Sequence, residues 1–176
     1  VEQMVPLLKK HGLAMRSFYT GATLHDAGQI DAGIERVVAT AEKAKQQIDL
    51  QIVVVNPTPL GGEGKSDSQL KTQADAMTRL GGRLADIGIT LASAWRDNGR
   101  EFHHVMTQTD PKLVSLCLDT HWVYRGSGDN VQRVYEVVQK YGTRVAELHL
   151  RQSKGGVWTE CMEAGDIDYV RVAEML

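Results

Sequence analysis

The sequence predicts a parallel α/β architecture, a (β/α) barrel, and three observations carry that prediction. Short apolar or β-branched runs alternate strictly with amphipathic helical stripes, which implies parallel strands joined by helical crossovers. Polar residues recur at every second position in the later strands, so Ser115, Cys117 and Asp119 share one side, as do Glu147, His149 and Arg151. No Gly-x-Gly-x-x-Gly follows any strand, which argues against a nucleotide-binding doubly wound sheet, the other architecture that strict alternation allows. In a barrel the alternating side faces the axis, where polar residues near the carboxyl ends of strands are expected.

Each element follows from its local pattern. A short helix ends near Lys10-His11-Gly12, and Leu13 to Tyr19 reads as a strand running into a glycine-containing loop from Thr20 to Gly28. The period then changes, and Ile30, Ile34, Val37, Val38, Ala41 and Ile48 fall on one helical stripe. Ile52-Val53-Val54-Val55 is a buried β-branched strand stopped by Asn56-Pro57. After the loop from Gly61 to Gly64, Leu70, Ala74, Met77, Leu84 and Ile87 mark a long helix with Gly88 as its C-cap. Ile89 to Ala92 is the third strand, Arg100 to Thr107 a short helix, and Asp110-Pro111 a turn into the fourth strand, Leu113 to Leu118. Val131, Val134, Val138 and Tyr141 give the next stripe, Gly142 ends it, and Val145 to Leu150 is the fifth strand. Gln152 to Gly165 reads as a long loop, and a last helix begins after Asp168. A closed barrel of this type uses eight strands and about 250 residues, so the sheet is either open or about five to six units of a larger barrel.

At 176 residues, with 42% hydrophobic and 24% charged residues, the chain suits one domain spanning 1–176 with a real core. A formal net charge of −2 and the absence of a Lys or Arg cluster exclude the electrostatic footprint of a nonspecific nucleic-acid binder. No apolar run approaches the roughly 20 residues that span a bilayer, so no membrane partner is expected. The two cysteines, Cys117 and Cys161, imply a reduced, cytoplasmic setting, with Cys117 packing as a small apolar residue. The first residue is not Met, which leaves room for a removed leader.

The chemistry is expected at two strand ends, Leu116 to Trp122 and Glu147 to Arg151. Asp119 can bind a cation, cap the following helix or act as a base; His149 at the next strand end favours a shared divalent metal. His121 shares a side with Asp119 if the extended conformation persists, as a second ligand or proton carrier, or else is a hydrogen-bonded loop histidine. Arg151 either anchors a hydroxylated or anionic substrate or pairs with Glu147, and the segment after it brings Trp158 and Glu160. Asp168 reads as an N-cap, and His103-His104 as surface or packing residues.

With these residues placed, the chain resembles the xylose isomerase-like TIM barrels. The branch it resembles is usually described as sugar phosphate isomerases/epimerases, which also holds inosose dehydratases and is distantly related to endonuclease IV-type AP endonucleases. The resemblance is carried by Ser17 to Gly21, Val55-Asn56-Pro57, Arg100 to His104, Leu116 to Gly128, Glu147 to Ser153 and Gly165 to Tyr169. It implies a (β/α)8 barrel of which this chain is a part, with the first strands before Val1 and the last beyond Leu176. It also implies a divalent ion (Mn, Mg, Co or Zn) held by a Glu, an Asp, a His and a second Glu, with Asp119 and His149 matching the middle two. His121, Trp122, Arg151 and Glu160 are then contacts for a sugar or polyol substrate, and homo-oligomerisation is open. The implied activity is isomerisation or epimerisation by proton transfer alpha to a carbonyl. A keto-inositol or keto-sugar dehydratase and a degenerate non-catalytic barrel are the alternatives. Two departures stand out: Ser93 to Asp97 replaces a Tyr-His-Asn-His stretch with its carboxylate, and Glu163-Ala164 replaces Gly-Glu.

Overall fold

The computed structural model describes residues 3–62, 64–94 and 99–176. Its centre is a parallel sheet of β1 (Ser17–Ala22), β2 (Ile52–Pro57), β3 (Thr90–Ala94), β4 (Val114–Asp119) and β5 (Val145–His149). Spatial order equals chain order, β1-β2-β3-β4-β5, with no reversal. A doubly wound sheet reverses its order at a switch point, so a sequential sheet is a barrel arc. Helices α1 (Met4–His11), α2 (Ile30–Lys45), α3 (Asp67–Asp86), α4 (Arg100–Gln108), α5 (Thr120–Gly126), α6 (Val131–Tyr141) and α7 (Tyr169–Met175) complete the order.

The two faces of the sheet differ as a barrel requires. On the outer face Val53, Val55, Leu91, Leu116 and Leu118 pack against Ile34, Val37, Met77, Leu80, Val105, Val134 and Val138 of the helices, all in one buried cluster. On the inner face only Val54, Ala92 and Cys117 form a small separate cluster. Cys117 therefore packs as a small apolar residue, as its place in a buried strand suggests.

Element boundaries move where pairing overrides composition. β1 starts at Ser17 rather than Leu13, because its ladder begins only where β2 lies alongside: Gln51 and Ile52 N–H both donate to Arg16 O, while Leu13 stays 63% exposed. The same pairing carries β1 through Gly21 and Ala22, opposite Asn56 and Pro57, so β2 runs two residues past its β-branched run. Ile48 lies beyond the end of α2, whose stripe closes instead on Ala44.

Ser66 starts α3 with a full capping box to Gln69, and Gly88 leaves it at φ +68°. Midway, α3 passes so close to the turn before β4 that a Cβ on Gly81 would stand 2.3 Å from Leu113 O. Below β4 and β5 the half-buried Arg144 guanidinium donates to Val114 O, Met106 O and Thr109 Oγ1. It joins the end of α4 to the start of β4.

Two elements were not read from the sequence. The segment 152–165 contains an antiparallel hairpin, β6 (Gln152–Lys154) and β7 (Val157–Thr159), turned by Gly155 and Gly156 at φ +60° and +75°. Positive φ at both central residues is the turn whose twist matches a two-residue hairpin. The second is α5, which starts immediately after Asp119.

Candidate metal centre

Strands β4 and β5 deliver the centre. Their register pairs Cys117 with Glu147 and Asp119 with His149, after a one-residue shift between Leu116 and Cys117 that leaves Ala146 unpaired. A parallel ladder aligns strand ends, so the two side chains emerge together at the carboxyl side of the sheet. Asp119 Oδ2 lies 3.9 Å from His149 Nδ1. On the other side of the ring, His149 Nε2 is 2.9 Å from Glu147 Oε1. Cys117, Glu147 and His149 each place a potential ligand atom within 4.8 Å of the others. Burial, reinforced by the Glu147 and Asp119 charges, pushes the Cys117 thiol up to about 12, so it is protonated at neutral pH.

Asp119 combines two of the roles its position allows. Its Oδ1 accepts the Trp122 N–H at 3.0 Å, capping α5, while Oδ2 faces the histidine. The cap also changes the place of His121. Because α5 begins at Thr120, the extended conformation does not persist, and His121 is carried into a buried position beside Tyr124, with ring centroids 6.0 Å apart. Burial first, then the Arg151 charge, holds His121 below the ordinary imidazole value. Its Nε2 is buried with no hydrogen-bond partner among the described residues.

Trp122, one residue further, is 39% exposed. Arg151 does not pair with Glu147, which is taken by His149; its guanidinium lies 4.5 Å over the Trp158 ring. Its backbone is clasped by the Tyr169 hydroxyl, which donates to Arg151 O and accepts from Arg151 N–H at 3.2 Å. Glu160 follows β7 on an exposed stretch. The segment carrying Trp158 is organised by Asp166, whose carboxylate accepts from Gly155 N–H, Gly156 N–H, Ser153 and Tyr124. Those donors, the Gly156 amide foremost, hold Asp166 below the usual carboxylate range. Asp168 caps α7 as expected, accepting from Arg171 N–H. His103 packs as expected too, 2.9 Å from the Tyr141 hydroxyl.

Sequence reasoning missed three groups near the mouth. Glu147 was placed on the same side of its strand as His149 and Arg151 and considered as a partner for Arg151, but not as the partner of His149 that it is. The Tyr19 ring of β1 lies 6.4 Å from the His149 ring, so the sheet curls enough for its first and last strands to meet across the inner face. The third group ties the start of α3 to the start of α4. Lys65, with its side chain 1% exposed, pairs with Glu101; Gln73 donates to the same carboxylate at 2.9 Å, and Arg100 donates to Lys65 O. Buried His25 is close enough for the Lys65 charge to add to burial in lowering its pKa. The expected departure from a Tyr-His-Asn-His stretch falls largely on residues 95–98, outside the described residues.

Fold and site together define an arc of a parallel (β/α) barrel with carboxylate and imidazole side chains at the carboxyl ends of adjacent strands. Solved structures agree on the fold. A sugar phosphate isomerase/epimerase from Parabacteroides distasonis matches 99% of this chain with a TM-score of 0.74 at 17% identity. The IOLI protein, solved with a zinc atom, matches 99% with a TM-score of 0.71 at 14% identity. A 3-keto-D-glucoside 4-epimerase from E. coli matches 99% at 0.68 and 15%. The chain spans 64%, 66% and 71% of those three proteins, so the barrel represented here is incomplete. The sequence matches no protein-family model and no curated protein. No helix among the described residues is long and apolar enough to cross a membrane.

Proposed function

We propose that the protein is a divalent-metal-dependent isomerase or epimerase acting on a sugar or sugar-derived polyol, by proton transfer alpha to a carbonyl. The observation that carries this reading is the pairing of Asp119 and His149 at adjacent strand ends, Oδ2 to Nδ1 3.9 Å. One carboxylate oxygen and one imidazole nitrogen form a donor set that suits Mn, Co or Zn, and Mg through the oxygen. Structural neighbours that process sugars, one of them solved with zinc, support it.

In this reading Asp119 and His149 hold the ion, which supplies a Lewis acid for adjacent hydroxyl and carbonyl oxygens of the substrate. His121, buried with its Nε2 unpartnered among the described residues, would meet a substrate hydroxyl only through a shift that exposes that nitrogen. Arg151, stacked on Trp158, presents its remaining N–H groups to the substrate, and Trp122 and Glu160 serve as further substrate contacts. Trp122 and Trp158 give the apolar faces of a sugar ring a surface to cover. The proton-transferring carboxylate is not assigned to any residue.

The test is solvent-deuterium incorporation. The metal-loaded protein is incubated in deuterated buffer with a panel of aldoses, ketoses and 3-keto sugars, and products are read by NMR. Exchange at the carbon alpha to the carbonyl, with epimer or aldose–ketose product and loss of both in His149→Ala, is the expected result. An ultraviolet-absorbing enone instead of an epimer means dehydration. Wild-type exchange no faster than that of His149→Ala on every substrate overturns the proposal.

A further inference from the structure

Glu147 lies outside the four-ligand pattern that the resemblance implies, yet its Oε1 stands 2.9 Å from His149 Nε2. We infer that Glu147 is the positioning residue of the metal centre: it takes the proton-bearing Nε2 of His149 and so aims the lone pair of Nδ1 at Asp119. This rests on the reading of Asp119 and His149 as the metal pair. An ionised carboxylate has only acceptor oxygens, so the ring nitrogen 2.9 Å from Glu147 Oε1 must carry the hydrogen. A neutral imidazole has one N–H, which leaves the other nitrogen, Nδ1, as the ligand atom.

The rival arrangement is an ion bound among Cys117, Glu147 and His149. Two donors about 2.1 Å from one ion stand roughly 3.0 Å apart at right angles and 3.4 Å apart in a tetrahedron. Glu147 and His149, at 2.9 Å, stand at hydrogen-bond distance, a spacing that two donors at right angles on one ion would also give, whereas the 3.9 Å between His149 and Asp119 is beyond a hydrogen bond and leaves room for an ion between them. Cys117, fully buried, belongs to the apolar cluster with Val54 and Ala92. The result is a carboxylate–histidine–metal relay in which the outer carboxylate fixes ring orientation and raises the basicity of the ligand nitrogen. Its specific feature is economy of chain: ligand and orienter stand two residues apart on one strand, so the strand's pleat holds both.

Three measurements test it on the protein. In metal-free protein under mildly alkaline conditions, nitrogen NMR of His149 is expected to show the proton on Nε2; a proton on Nδ1 overturns the inference. Zinc titration calorimetry is expected to show Glu147→Ala losing about tenfold to hundredfold in affinity. Glu147→Gln, which keeps an acceptor oxygen, loses less, and matched circular dichroism confirms that both variants fold. Affinity of Glu147→Ala within about twofold of wild type overturns the inference, while Asp119→Ala and His149→Ala remain weakened if the metal pair itself is right. Wild-type affinity in both of those variants instead sinks the metal pair, and the inference with it. Cobalt-loaded protein is expected to lack a thiolate charge-transfer band; a band abolished by Cys117→Ser moves the ion to the rival site.

Discussion

The double duty of Asp119 makes it separable by two substitutions. Oδ1 caps α5 through the Trp122 N–H at 3.0 Å, and Oδ2 faces His149 Nδ1 at 3.9 Å. Asn caps as well as Asp, because the cap needs only a side-chain acceptor, whereas metal binding needs the anion. Asp119→Asn should therefore unfold at nearly the wild-type urea concentration in metal-free buffer, within about 0.5 kcal/mol, and Asp119→Ala should lose about 1 kcal/mol, the usual cost of an N-cap deletion. In zinc calorimetry the order changes: both variants should fall by more than the roughly hundredfold ceiling of an outer-sphere partner. The pair is read by urea denaturation in the presence of chelator, followed by metal titration of the same samples. Asp119→Asn binding zinc as wild type does would refute the ligand role. Asp119→Ala as stable as Asp119→Asn would refute the cap.

Adjacent glycines in α3 should respond with opposite signs. Gly82→Ala meets nothing within 4 Å and should gain about 0.5–1 kcal/mol of stability from helix propensity. Gly81→Ala would set a methyl 2.3 Å from Leu113 O and should lose about 1–2 kcal/mol net, after overpacking of about 1–3 kcal/mol offsets the propensity gain. Urea midpoints of the two variants decide it, and equal shifts would show that the turn before β4 yields freely. Asp166, held below the usual carboxylate range by the Gly156 and Gly155 amides, should make the β6–β7 turn acid-sensitive. A depressed carboxyl pKa contributes stability above about pH 4, and that stability is lost as pH falls through the lowered value. Amide protection factors at Gly155 and Gly156, corrected for the intrinsic pH dependence of exchange, should fall over that acid range in the wild type and be low and flat with pH in Asp166→Asn.

What could be read from the chain alone was whatever leaves a local period or a local cap. The strands showed themselves through alternation, the Gly88 and Asp168 helix ends through their residue types, and the Asp119–His149 pairing through two strands of matching phase. The place of His121 was left open because capping is decided by whether the chain turns after Asp119, and an apolar strand with a trailing Thr-His-Trp does not announce the turn. The β6–β7 hairpin had its sign in Gly155-Gly156, but strands of three residues are too short to show alternation. Lys65 and Glu101 are 36 positions apart on different segments, and nothing about either residue names the other. Their meeting is a product of packing, as is the approach of Tyr19 to His149 from the opposite end of the sheet.

The register shift beside Ala146 gives β5 two phases. Val145 pairs with Leu116 and packs into the helix-side core, yet Glu147, only two residues on, pairs with Cys117 and looks to the other side. In an unbroken strand residues two apart share a face. The unpaired Ala146 thus uncouples the half of the strand that anchors it from the half that carries chemistry. Changes in length or sequence on the anchoring side, around Gly142 to Val145, can be absorbed at that one residue without rotating His149 away from Asp119. A shift between Glu147 and His149 has no such refuge. The strand is a joint as well as a platform, and selection can act on its two ends separately.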